Sequence, residues 1–194
     1  VPWRISLVAL GERVALIEGA VVDVSAPASL VRAGGFVSGG NLTDVVVNGS
    51  YAYTSDYAFG LAVYDLQDPT QVVGVGACAI IGNALGLAVA GDYAFLAAGR
   101  DGIQVVNVAK RAQPVALGGH QTCDQAIGVT VDGGYVYVAD GNAGLVILPA
   151  DPRKVPPEIA NQPQDLATVT GSNAAFAVQA LGFEALAYQW SRDG

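Results

Sequence analysis

The chain repeats itself every 42 residues, and no other feature restricts its fold as much. Gly49, Gly91 and Gly133 are 42 apart, as are Tyr51, Tyr93 and Tyr135, and Gly60, Gly102 and Gly144. Asp23, Asp65 and Asn107 keep the step, and Pro27 and Pro69 agree with it. Self-similarity on this scale marks a chain that stacks one small unit many times, each unit unable to bury its apolar face alone.

Each unit reads as four short strands. The first is Asp44–Asn48, matched by Gly86–Ala90 and Gly128–Asp132. The pairs Gly49-Ser50, Gly91-Asp92 and Gly133-Gly134 follow, supplying the positive φ that a tight hairpin needs. The second strand is Tyr51–Tyr53, Tyr93–Phe95 or Tyr135–Tyr137, with its rings on one face. A polar loop ends at Gly60, Gly102 or Gly144. The third strand is Leu61–Leu66, Ile103–Val108 or Leu145–Leu148, and the fourth Gln71–Ala77 or Pro114–Gly118. An earlier unit, Ser6–Val37, has the same order with a shorter central loop: Gly11-Glu12 as its turn, then Arg13–Ile17, Gly19, Val21–Val24 and Leu30–Val37. The last unit has no evident fourth strand. Apolar runs that alternate, or stay short between Gly and Asp, behave as strands and not as helices. A four-stranded unit of about 40–45 residues has the size of a β-propeller blade; a linear solenoid is the alternative stacking.

Composition narrows the function classes. With 9 basic against 17 acidic residues, net charge −8, the chain lacks the clustered Lys and Arg of a nucleic-acid binder. The twenty uncharged residues Val72–Gly91 are long enough to cross a bilayer. Five glycines and Asn83 interrupt them, however, and the repeat divides them into two strands and a turn, so no membrane span is expected. The chain contains no Met, and Val1-Pro2-Trp3-Arg4 does not open a signal peptide; a fragment whose targeting segment lies upstream is expected.

The residues Gly19-Ala20-Val21-Val22-Asp23-Val24-Ser25-Ala26-Pro27 and Gly60-Leu61-Ala62-Val63-Tyr64-Asp65-Leu66-Gln67-Asp68-Pro69 resemble the LVIVD repeat of bacterial surface β-propellers. Gly128–Gly141 resembles the neighbouring part of that unit. The resemblance covers roughly residues 5–152 and departs from the pattern at Asn107 and Pro149, where Asp is expected. It implies about four blades of a partial propeller, the last without its outer strand. Propellers commonly take that strand from the N-terminal segment, so the closing strand and further blades are expected before Val1; a ring of four blades is the alternative.

Composition shifts after Pro152. Residues 153–163 read as a Pro-rich linker. Residues 164–194 resemble the opening strands of a bacterial immunoglobulin-like domain, with Tyr188-Gln189-Trp190 as strand C and Val178 at the usual strand-B cysteine position. The fold class expected is therefore all-β: blades over 1–152 and an incomplete sandwich over 164–194, with further immunoglobulin-like modules downstream.

Candidate chemistry is sparse. Cys78 and Cys123 precede consecutive units, and two readings stand: a disulfide between neighbouring blades, or two thiols acting as small apolar side chains. His120-Gln121-Thr122-Cys123 has a ligand-like spacing, but His120 is the only histidine and zinc needs three or four protein ligands. Asp140-Gly141-Asn142-Ala143-Gly144 resembles a calcium loop without its later ligands and sits at a turn position of the repeat. Asp23 and Asp65 are expected to accept backbone hydrogen bonds, because an acid repeated in several blades cannot be the unique acid of one site. No catalytic residue, cofactor or metal site is expected. Tyr57 and Phe59, in a loop only the second full unit has, are the candidate ligand contacts. The function expected is a non-catalytic extracellular or cell-surface scaffold that binds protein or glycan. The alternative is a secreted hydrolase or lyase whose site lies in absent blades; this choice rests on analogy of fold.

Overall fold

The computed structural model of the chain describes residues 7–10, 14–17, 20–23, 31–35, 40–169, 171–182 and 186–191. Ser6, the turn Gly11-Glu12, Arg13, Gly19, the stretch 24–30 with Pro27, and residues 36–37 of the expected first unit lie outside them. Strands β1 (Leu7–Leu10), β2 (Val14–Ile17), β3 (Ala20–Asp23) and β4 (Val31–Gly35) pair in chain order as one antiparallel sheet. So do β5 (Leu42–Asn48), β6 (Tyr51–Asp56), β7 (Gly60–Asp65) and β8 (Val73–Cys78). A third sheet holds β9 (Gly86–Ala90), β10 (Tyr93–Ala97), β11 (Ile103–Asn107) and β12 (Val115–His120). The fourth holds only β13 (Ala126–Asp132), β14 (Tyr135–Asp140) and β15 (Leu145–Pro149). These are blades one to four of an open, partial β-propeller. Val72–Gly91, the stretch long enough for a bilayer, contains β8 and β9, and no helix of the described residues could cross a membrane.

The register repeats with the sequence. Val14 lies opposite Asp23, Tyr51 opposite Asp65, Tyr93 opposite Asn107 and Tyr135 opposite Pro149. The hairpin glycines Gly49, Gly91 and Gly133 take φ of 61°, 56° and 55°, a region that L side chains avoid. The core consists of three clusters, one at each junction between blades. Val21, Val45, Ala52 and Leu66 join blades one and two. Tyr53, Leu61, Val63, Leu87, Leu96 and Val106 join two and three. Phe95, Ile103, Val105, Val136 and Val138 join three and four. Because neighbouring strand residues point to opposite faces, Ala94 and Leu96 serve one junction while Phe95 and Ala97 serve the next. Each fully buried Val, Ile or Leu contributes about 1.5–3 kcal/mol, so each junction is a core in its own right.

The outer strands carry a bulge that the repeat pattern does not announce. Pairing skips one residue between Val21/Val22, between Val63/Tyr64 and between Val105/Val106. The residues skipped, Ala33, Val75 and Leu117, are 42 apart, and each packs against a junction cluster. The extra residue re-aims a side chain inward that strict alternation would leave outside. One step on, a Cβ at Gly34 would strike the carbonyl of Pro69, and one at Gly76 the carbonyl of Arg111. The loop between the third and fourth strands of each next blade lands there. Polar groups also tie blade to blade. Asp44 Oδ2 accepts from the Leu87 amide at 3.0 Å, and Thr43 Oγ1 donates to the Ala84 carbonyl at 2.9 Å.

Among the described residues blade four has three strands, and the structure supplies a reason. Strand β16 (Glu158–Asn161) falls, by the period, where a fourth strand would begin, yet it pairs with β17 (Gln179–Leu181). In blades two and three the outer pair opens on Asp65 opposite Val73 and Asn107 opposite Val115. The corresponding residues of blade four are Pro149 and Pro157. Neither proline has an N–H, so neither can donate at that end of the ladder.

The segment beyond differs from the sequence expectation in detail. The stretch read as a linker holds a 3₁₀ turn, Pro152–Lys154, and then β16. Among the described residues of the expected sandwich, Gln179–Leu181 forms a strand, and Leu186–Trp190 is irregular. Strands exist by pairing, and Leu186–Trp190 pairs with none of the described strands.

Candidate functional site

The turn between the second and third strands of blade two displays the two candidate contacts. Tyr57 is 43% and Phe59 60% exposed. The turn is held from below. Asp56 is buried, and its Oδ1 accepts from the amides of Ala58 at 3.1 Å and Phe59 at 3.3 Å, an Asx turn. The Tyr57 amide donates to the Asn41 carbonyl at 2.9 Å. Gly60 closes the turn at φ 85°, where a Cβ would lie 2.6 Å from the Cys78 carbonyl oxygen. The loop that leads to blade three adds two residues that sequence reasoning missed. Asn83 Nδ2 donates to Tyr57 Oη at 3.0 Å, and Ile81 is exposed. Tyr57, Phe59, Ile81 and Asn83 thus share the end of the blades where units join. Blades three and four place Gly99 and Gly141 where blade two has Tyr57, so the aromatic patch belongs to one blade.

The other candidates have structural partners. Asp65 Oδ1 accepts from the Gln67 amide at 2.8 Å, and Asn107 Oδ1 from the Ala109 amide at 2.9 Å. The acceptor is all this position needs, so Asn107 departs from the repeat pattern without loss of the bond. Pro149 has no such acceptor; there Asp151 takes the Arg153 amide at 3.2 Å and pairs with its guanidinium at 2.8 Å. The hydrogen bonds from Arg153 hold the Asp151 carboxyl below the usual carboxylate range. The side chain of Asp23 lies outside the described residues.

Asp140 is fully buried at the base of the blade-four turn Gly141–Ala143. Thr122 Oγ1 donates to its Oδ1 at 2.6 Å, and the Asp124 amide to its Oδ2 at 3.1 Å. Asp124 Oδ2 in turn accepts from the amide of Asn142 at 2.8 Å. Both carboxylates therefore clamp the blade-joining loop to the turn, which accounts for the calcium-like spacing. Among the described residues no three of His, Cys, Asp and Glu converge as a metal cluster. His120 ends β12, and Cys123, three residues on, is exposed.

Tyr53 and Phe95 are buried in junctions, Tyr51 lies under the Arg111 guanidinium at 4.7 Å, and Tyr93 meets Phe95 at 6.5 Å. These rings are packing residues. Both thiols are free in the structure: Cys78 is half-buried at the end of β8, and Cys123 is exposed. Burial pushes the Cys78 thiol up, a backbone hydrogen bond from Ala116 partly opposing it. Unreduced, denatured protein is therefore expected to take up two thiol labels by mass spectrometry, and native protein to react first at Cys123. An unlabelled, unreduced mass would establish the bridge instead. A separate concavity of about 550 Å³ lies between Pro152–Pro157 and residues 186–190, with Val155, Leu186 and Trp190 in its walls.

A family model described as the LVIVD repeat matches residues 39–79, 81–122 and 125–148, more than half of the chain. The chain belongs to the LVIVD repeat family. The matched stretches coincide with blades two, three and four; blade one repeats their strand order outside the match. Crystal structures of two computationally designed proteins share the fold. Ika8 superposes with a TM-score of 0.57 at 11% identity, over 75% of this chain and 45% of that one. Ika4 superposes with a TM-score of 0.54 at 14% identity, over 74% of this chain and 89% of that one. The chain thus spans less than half the length of Ika8. No curated protein matches the sequence.

Proposed function

We propose that this LVIVD-repeat chain is a non-catalytic binding scaffold of the bacterial cell surface or exterior, and that the blade end carrying Tyr57 and Phe59 contacts a protein or glycan. The observation that carries the reading is the combination of exposed rings with a turn fixed from beneath by Asp56. Two exposed aromatics on a turn fixed in this way offer contact area at low entropic cost. Asn83 beside Tyr57 adds the polar partner that a sugar hydroxyl or peptide group would use. In this reading residues 1–152 are the propeller part, 153–163 the connection, and 164–194 the start of an immunoglobulin-like module followed by others. The apolar concavity against Trp190 then corresponds to one half of a sandwich core.

Affinity electrophoresis of the wild type through gels containing soluble β-glucan, mannan or chitosan, with a surface-protein extract as the protein arm, tests the site. The double variant Tyr57→Ala/Phe59→Ala is expected to lose about tenfold or more in affinity for whichever probe the wild type retains, since aromatic anchors dominate such contacts. Binding unchanged in the double variant would remove the site from consideration. An export signal upstream in the complete reading frame is expected on the same reading, and a cytoplasmic gene product would contradict it.

A further inference from the structure

The acid beneath the turn of Tyr57 and Phe59 is only half used. Asp56 is 5% exposed. Its Oδ1 accepts from the amides of Ala58 and Phe59, whereas Oδ2 has no hydrogen-bond partner among the described residues. No other buried carboxylate oxygen among them is left so. The same repeat position in blade four, Asp140, engages both oxygens through Thr122 and Asp124, and blade three has Ala98 there. Buried acceptors are normally paired, because an unpaired one bears the full cost of its lost hydration. The spare oxygen also coincides with the one aromatic turn, since blade four turns on Gly141–Ala143. A Cβ on Gly40 would stand 2.8 Å from Phe59 Cε2 and 2.8 and 2.9 Å from the two Asp56 oxygens, so ring edge and carboxylate meet over one small residue. Phe59 is the cover, and most of its ring is in solvent, where a change of rotamer is fast. Other exposed apolar side chains, such as Ile147 at 54% on β15, have no unpaired buried acid beside them among the described residues.

Given the binding role proposed above, on which this rests, we propose that the site takes the ammonium group of a lysine presented by a partner protein. With Phe59 turned aside, the ammonium donates to Asp56 Oδ2, and the faces of Tyr57 and Phe59 flank the cation. The four-carbon stem lies along the rings and Ile81, as lysine stems do on apolar surface. A neutral ligand group leaves the carboxylate charge uncompensated, so the buried acid selects for a cation. The net charge of −8 attracts such a partner. An amino sugar offers the same ammonium, but its hydroxyl groups need several polar partners, and Phe59 and Ile81 supply none.

Amide chemical shifts of the isotope-labelled 194-residue chain, titrated with the blocked pentapeptide Gly-Gly-Lys-Gly-Gly, test this. The Ala58, Phe59 and Gly60 amides are expected to shift at millimolar peptide, and not with Gly-Gly-Gln-Gly-Gly. Asp56→Asn keeps the turn, because the asparagine oxygen accepts from the same two amides, and weakens lysine-peptide binding by about thirtyfold or more. Asp132→Asn, the same change of charge at an exposed residue of the far hairpin, leaves binding within about twofold. A wild type that ignores the lysine peptide, or that binds both peptides alike, overturns the proposal. Equal loss in Asp56→Asn and Asp132→Asn does so too, as would a chitosan oligomer shifting these amides where the lysine peptide does not. Probe binding lost in Tyr57→Ala/Phe59→Ala but intact in Asp56→Asn would leave the binding role standing and remove lysine as its ligand.

Discussion

Val105→Asp is expected to leave the chain unfolded at room temperature, whereas Ile147→Asp at the same repeat position leaves the far-UV spectrum β-dominated and unchanged. Val105 is 1% exposed, between blades three and four, and packs among Phe95, Ile103, Val136 and Val138. None of these can pair a carboxylate. The substitution removes about 1.5–3 kcal/mol of apolar burial. It also places an uncompensated charge in the junction at an effective cost of several kcal/mol. Together these approach the whole stability of an ordinary domain, about 5–15 kcal/mol. Urea titration followed by circular dichroism distinguishes the outcomes. A cooperative transition for Val105→Asp at the wild-type midpoint would mean that the junction between blades three and four is not a core.

Asp140→Ala carries the second largest effect. It strips the partner from the buried Thr122 hydroxyl and from the half-buried Asp124 amide, and leaves a void behind. A buried donor left unmatched costs about 1–3 kcal/mol each, so a loss near 3 kcal/mol is expected. At roughly 2–4 °C per kcal/mol for a chain of this size, Tm falls by about 6–12 °C. Blade three shows how the position can do without the carboxylate: Ala98 stands for Asp140, and Ile80 for Thr122. Ile80 there packs against the apolar junction cluster. The double variant Thr122→Ile/Asp140→Ala is therefore expected to recover about half of the loss or more, because removing both polar partners costs far less than removing one. Additive loss in the double variant would show that the hydroxyl–carboxylate pair is not what holds the loop.

The clamp illustrates where reading the sequence stops. Asp140 is visible as a turn residue, but its partners lie 16 and 18 residues away, across a blade junction. The signal that could have found it is the matched change between units, Thr122 with Asp140 against Ile80 with Ala98. Tyr57 and Phe59 were legible because the other units lack aromatics there. Ile81 and Asn83 were not, since only the fold brings the joining loop beside that turn. The bulges at Ala33, Val75 and Leu117 escaped for a related reason: alternation predicts a face for every residue, and a bulge breaks alternation without any change of composition. At the C-terminal end, local strand propensity in Leu186–Trp190 did not suffice, since the stretch pairs with none of the described strands.

By itself the sequence determined the strand count per unit, the hairpin turns, the 42-residue blade and the family, because these depend on local conformational preferences that recur with the period. The tertiary structure alone decided which residues are core. Val63 and Ile147 are interchangeable in any local reading, and what separates them is whether another blade stands in front. Burial belongs to a pair of surfaces, and a linear pattern specifies only one of them.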